Sequence, residues 1–188
     1  MKITKKWLKE KDACQSGVDW FLKQDKTDSI EVLKELIRQD ILEDAGWLIV
    51  RVMNYKQYVS YAVFAAEQVI DIFENKHPDD KRPREAIEAA KACVDDPSDE
   101  NKEIARKVAY AASDTAYYAA YYAAYAATAY ASAAYASTVS TAANAAANDA
   151  ANASANAYAN ANASTAYAKK EMRLKILNYG LELLKGSI

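Results

Sequence analysis

A chain of 188 residues with a formal net charge of −2 fits one domain and carries no field that would draw nucleic acid or an anionic membrane. Four glycines and three prolines are too few for the closely spaced turns of a β-sandwich or barrel. Two cysteines, Cys14 and Cys93, lack CxxC spacing and there is one histidine, His77, which argues against a zinc site and for reduced thiols in a cytosolic setting. No apolar run approaches the ~20 residues of a membrane span. The greasiest stretch, "AGWLIVRVM", is interrupted by Arg51. The N-terminal "MKITKKWLKEKDAC" is basic but has no apolar stretch of the signal-peptide kind, so a cytoplasmic location is expected.

In chain order, "KKWLKEKDACQSGVDWFLKQ" predicts a short helix, a break at "QSG" and a second short helix. "TDSIEVLKELIRQD" predicts a helix capped by Thr27 or Asp28, with Ile30, Leu33, Leu36 and Ile37 at helical spacing. "EDAGWLIVRVMN" is apolar nearly all round, which predicts a central helix. "YKQYVSYAVFAAEQVIDIFENK" predicts one long helix with Val59, Val63, Ala66, Ile70 and Phe73 as its buried stripe, ending before Pro78. Pro83 belongs in a first helical turn, where its missing N–H costs nothing. Asp95, Asp96 and Pro97 close that helix, and Ser98 caps the next, with acidic residues in its first turn.

No proline or glycine follows until Gly180. A single helix from Ser98 to Leu184 would exceed about 120 Å, so breaks are expected near "STVST" (Ser137–Thr141) and "NANAST". Between Ala109 and Ala168 the ionised side chains are Asp114 and Asp149, and with those two set aside the chain carries 24 acidic and 24 basic residues. This divides a single domain over 1–188 into a conventional helical part (1–97), Ala/Tyr/Asn-rich helices (98–168) and a C-terminal helix (169–188).

The middle region has a physical logic. Alanine is the best helix former, buries little area and lets helices approach closely. Ala143, Ala147, Ala151, Ala155, Ala159 and Ala163 form one row at a spacing of four. Ten of the fourteen tyrosines lie here, among them Tyr117, Tyr118, Tyr121, Tyr122 and Tyr125, and supply the missing area. Asn144, Asn148, Asn152, Asn156 and Asn160 also recur every four residues, although asparagine is a poor helix former. They read either as a solvated stripe or as a recognition ladder of amides. A spacing of four drifts about 40° per step on a helix, so the ladder cannot form one flat face. The threonines do not keep the spacing that an ice-binding face needs.

No phosphate-binding loop, nucleophile elbow, HExxH motif or EF-hand loop is present. Neither cysteine has a histidine partner to activate it, and the acidic clusters in "HPDD" and "VDDPSDE" sit where helix caps belong. No cofactor is expected, and the chain reads as a non-enzyme. Arg51, Glu67, Glu74, Arg82, Arg84 and Glu88 lie on otherwise apolar helices, where unpaired charges are costly. They predict either an ion-pair network joining helices, in which Arg82 and Arg84 pair with Glu67, Glu88 or nearby aspartates, or a polar patch that holds a partner.

"WLIVRVM", "QYVSYAVFAAEQVIDIFE", "HPDDKRPREAIEAAK" and the alanine-tyrosine tract resemble the all-helical immunity proteins of bacterial polymorphic toxin systems, which phages and mobile elements also carry. The resemblance spans Asp40 to Tyr125 and continues loosely to Tyr167. Its specific part is Arg82, Pro83, Arg84, Ala86, Ile87 and Glu88, and the asparagine-rich second half departs from it. It implies an all-α protein that neutralises a toxin or a host-defence effector by stoichiometric binding, an anti-CRISPR-like inhibitor of a nuclease effector being one form. A structural or scaffolding helical protein is the alternative. The expected fold is an all-α bundle or helical-repeat array with closely packed alanine-rich helices. The expected partner is a protein, with no direct contact to nucleic acid or membrane.

Overall fold

Thr4 starts the first helix by accepting the Trp7 N–H at 3.1 Å, and α1 runs Lys5–Glu10. The computed structural model describes residues 1–113, 152, 154–156, 158, 159 and 166–187. Among them every regular element is an α-helix: α2 Gln15–Phe21, α3 Ser29–Arg38, α4 Leu42–Val52, α5 Tyr55–Glu67, α6 Ile70–Glu74, α7 Arg82–Asp95, α8 Asp99–Ser113 and α9 Ala166–Lys185. An isolated antiparallel bridge joins Lys2 to Asp28. Residues 152, 154–156, 158 and 159 are also helical. The expected breaks at "STVST" and "NANAST", the tyrosine rows from Tyr117 to Tyr125, and Asn144, Asn148 and Asn160 lie outside the described residues.

The caps are the ones that the residues favour. The Asp28 carboxylate accepts from the Ile30 and Glu31 N–H groups. Asn54 and Gln57 form a reciprocal capping box at the start of α5. Ser98 Oγ accepts the Asn101 N–H at 3.4 Å, and Pro83 stands in the first turn of α7. Two expected boundaries are corrected. "QSG" does not break the first helical pair. Instead Asp12 adopts the left-handed region (φ 55°), which aspartate tolerates better than most residues, and Cys14 caps α2 through its Sγ. Nor is 55–76 one helix. It turns at Gln68–Val69, where the Gln68 side chain donates to the Phe64 carbonyl at 3.0 Å and the β-branched pair Val69–Ile70 is a weaker helix former.

The helices close round one core. α3 packs on α4, α5 on α7, α7 on α8, and α9 lies across α3, α4 and α5. The prediction that α4 is central holds: Ala45, Leu48, Ile49 and Val50 are buried. α9 supplies Met172, Ile176, Leu177 and Leu181. Where it crosses α5, Tyr179 stacks on Phe64 at 3.8 Å between ring centroids, and Gln57 Nε2 donates to the Leu183 carbonyl at 2.9 Å. Of the alanine row, Ala155 and Ala159 are buried, as close helix packing requires.

A polar network fixes α3 against α2. Glu35 is buried and accepts from Arg38, from Gln39 Nε2 and from Lys26 Nζ. Gln39 Oε1 in turn accepts the Trp20 indole N–H at 2.9 Å. The Arg38 and Gln39 bonds, with Lys26 behind them, hold the Glu35 carboxyl at about 2 against its ordinary 4.5. A depressed pKa stabilises the fold above the unfolded value, and that contribution is lost as pH falls from about 4.5 towards 2. The melting temperature of the wild type is therefore expected to fall over this window, and that of Glu35→Gln to fall less steeply. Parallel melting curves for the two would remove Glu35 as a source of acid sensitivity.

Candidate functional site

The charged residues singled out by sequence do not gather in one patch. Lys91 takes both glutamates: its Nζ lies 2.7 Å from Glu67 on α5 and 2.9 Å from Glu88 on α7. Arg82 folds back on Asp80, with Nη2 to Oδ2 at 2.6 Å. Arg84 grips Glu74 with two bonds of 2.9 and 2.6 Å and reaches Asp71 at 3.5 Å, which ties α6 to α7. The expected pairing of Arg82 and Arg84 with nearby aspartates is thus present, and the glutamate that Arg84 takes is Glu74, while Glu67 and Glu88 meet on Lys91. Lys91 stands one helical turn from Glu88 and faces α5, while Arg84 projects over α6. With Arg84 37% and Glu74 25% exposed, Arg84→Ala is expected to cost about 1 kcal/mol in thermal or denaturant unfolding.

Arg51 stands apart. Its guanidinium lies over the Trp47 ring, 4.1 Å from the centroid, and Nη1 donates to the Trp47 carbonyl at 2.8 Å. Among the described residues the buried Nε finds no hydrogen-bond partner, and burial pushes the guanidinium pKa down. Among the described residues the greasy helix therefore accommodates this charge by a cation–π contact rather than by an ion pair.

The asparagine row is split in the part that is described. Asn152 is half-buried and its Oδ1 accepts from Arg173 Nη2 at 2.8 Å, whereas Asn156 is exposed. For Asn152 the solvated-stripe reading, on which it points to solvent, is corrected. Arg173, on α9, also binds Glu43 in the first turn of α4 and holds that carboxyl below its ordinary range. It joins three segments, and no local pattern in the sequence marks it.

The concave feature that sequence reasoning missed lies among the first four helices. A cleft of about 310 Å³ is walled by Ile3, Leu8, Phe21, Val32, Leu36 and Leu48, by the rings of Trp20 and Trp47, and by Asp12, Ala13, Cys14, Gly17, Glu43 and Asp44. Trp7 meets Trp47 edge-on at 6.3 Å, so all three tryptophans of the chain gather here. Its polar groups are mainly acidic. Burial, and then the charge of Glu43, push the Asp44 carboxyl up, and no ion pair or hydrogen bond to Asp44 is formed among the described residues. Cys14 on the rim is an exposed free thiol, while Cys93 is buried. Among the described residues no group of three or more histidine, cysteine or carboxylate side chains is placed to hold a metal ion. The tryptophans were a usable signal, because three of them within 41 positions of a short chain invite the question of what they line.

Fold and site define an all-α protein with an aromatic, acid-rimmed cleft at its N-terminal end. The chain belongs to a family of unknown function, DUF6931, whose model matches residues 32–184. α1 and α2, which form one wall of the cleft, precede that match. No curated protein and no solved structure matches the chain. Among the described residues no helix is long and apolar enough to cross a membrane.

Proposed function

We propose that this protein is a non-enzymatic inhibitor that binds a partner protein stoichiometrically in the cytoplasm of the cell that makes it, and that the partner is a bacterial toxin or a host-defence effector. The observation that supports this reading is the cleft. Tryptophan is the residue most enriched where protein interfaces concentrate their binding energy, and here three tryptophans surround a concavity whose volume lies at the small end of ligand sites. That is room for one or two inserted side chains rather than for a large cofactor. The resemblance of the Arg82–Glu88 segment to immunity proteins points the same way.

The test is growth rescue. Toxins and defence nucleases encoded beside the gene are expressed with the wild-type protein or with Trp20→Ala or Asp44→Asn, each checked by melting. Protection by the wild type and its loss in variants that remain folded are expected. A protein that forms no complex with any of these effectors and protects against none is a scaffold, and the reading fails.

A further inference from the structure

We propose that the cleft is a subsite for one lysine side chain of the partner protein, its apolar stem lying along Trp20, Phe21 and Trp47 and its ammonium meeting Asp44. This rests on the proposal that the protein binds another protein, and it names the chemistry of the contact. The walls ask for an apolar group, since leucine, isoleucine, valine and aromatic side chains make up most of them. The polar lining asks for a cation: Asp12, Glu43 and Asp44 are its titrating carboxylates, and no lysine or arginine lines it.

The three carboxylates differ in what they can still accept. Glu43 is taken by Arg173. Asp12 is exposed on the rim. Asp44 is partly buried in the wall, and among the described residues it meets no cation. It stands in the first turn of α4, where the helix dipole favours its charged form without supplying a counter-ion. A partly desolvated carboxylate of this kind gains most from a cation that brings its own apolar cover. Lysine fits better than arginine. Its ammonium is a point charge on a long apolar stem, whereas a guanidinium carries five donors in a planar fork, of which one carboxylate takes two.

The full-length protein is titrated with n-hexylammonium chloride, a mimic of the lysine side chain, and in parallel with hexan-1-ol and sodium hexanoate. Intrinsic tryptophan fluorescence reports binding, since all three tryptophans lie at the cleft or against its wall. Millimolar binding of the amine is expected, roughly tenfold tighter than that of the alcohol, with no binding of hexanoate. Asp44→Asn should melt with the wild type and bind amine and alcohol equally. Wild type whose exposed Cys14 is alkylated by a bulky maleimide should bind neither.

Equal affinities for amine and alcohol in the wild type, a preference that survives Asp44→Asn, amine binding by the alkylated protein, or no binding of the amine would each overturn the proposal. Binding of the free amine at about micromolar strength would also overturn it, because the site would then be a small-amine receptor. No partner protein enters this experiment. Its failure therefore removes the lysine subsite and leaves stoichiometric inhibition to be decided by the rescue assay.

Discussion

Gly180→Ala is expected to lower the stability of the protein, although the same change in most helix interiors raises it. A Cβ built on Gly180 would stand 2.6 Å from Ile49 Cδ1 and 2.8 and 2.9 Å from two carbons of the Tyr61 ring. The Ile49 methyl is the end of a flexible side chain and can move. The Tyr61 ring cannot, because Tyr61 is 1% exposed and sits in the middle of the core. Overpacking of this kind costs about 1–3 kcal/mol, and removing a helical glycine returns about 1 kcal/mol. A net loss of up to about 2 kcal/mol is expected, or a few degrees in melting temperature for a chain of this size. Gly180→Leu should reach about 3 kcal/mol. In a Tyr61→Leu background Gly180→Ala should become neutral or stabilising, since the two residues share one contact. A Gly180→Ala protein that melts above the wild type would show that α9 does not cross α5 at this distance.

Arg173→Ala is expected to cost about 1.5–3 kcal/mol, the range for hydrogen bonds that involve a charged group. The side chain is 16% exposed, so water cannot fully replace what is lost. The bond to Asn152 carries more of this than the one to Glu43, whose side chain is 74% exposed and therefore screened. Asn152→Ala should cost about 1 kcal/mol, where its helix propensity alone predicts a gain of about half a kcal/mol. Arg173→Lys should fall between, because a single ammonium cannot serve two acceptors as the guanidinium fork does. Chemical denaturation of the three variants checks the order. If Asn152→Ala is more stable than the wild type, the alanine-rich segment does not dock on α9 through this contact.

Helix identity and most helix starts were legible in the residues, because they are decided within a few positions of the chain. Asp28 and Ser98 each precede a run that needs a cap, Pro83 fits only a first turn, and the apolar spacing in α3 and α4 is helical. The buried stripe of Val59, Val63, Ala66, Ile70 and Phe73 was read correctly even though the helix that carries it is broken in two. The break at Gln68 and the left-handed turn at Asp12 were missed, since each uses a residue that helices also tolerate.

What tertiary structure alone decided are the contacts between distant segments. Arg173 and Glu43 stand 130 positions apart, and no periodicity links them. Gly180 reads as a mild defect in a helix until the Tyr61 ring is placed against it. Asn152 and Asn156 share a residue type and a repeat, yet one is held by Arg173 and the other is exposed. The cleft draws its wall from four helices and the segments that join or precede them, and Asp44 became a candidate only when, among the described residues, no cation was found beside its partly buried carboxylate. Local propensity fixes where a helix begins and which residues it turns inward, because those energies are settled between near neighbours. Which surfaces meet is settled by shape and desolvation summed over the whole fold, and that sum is not written in any one stretch of the chain.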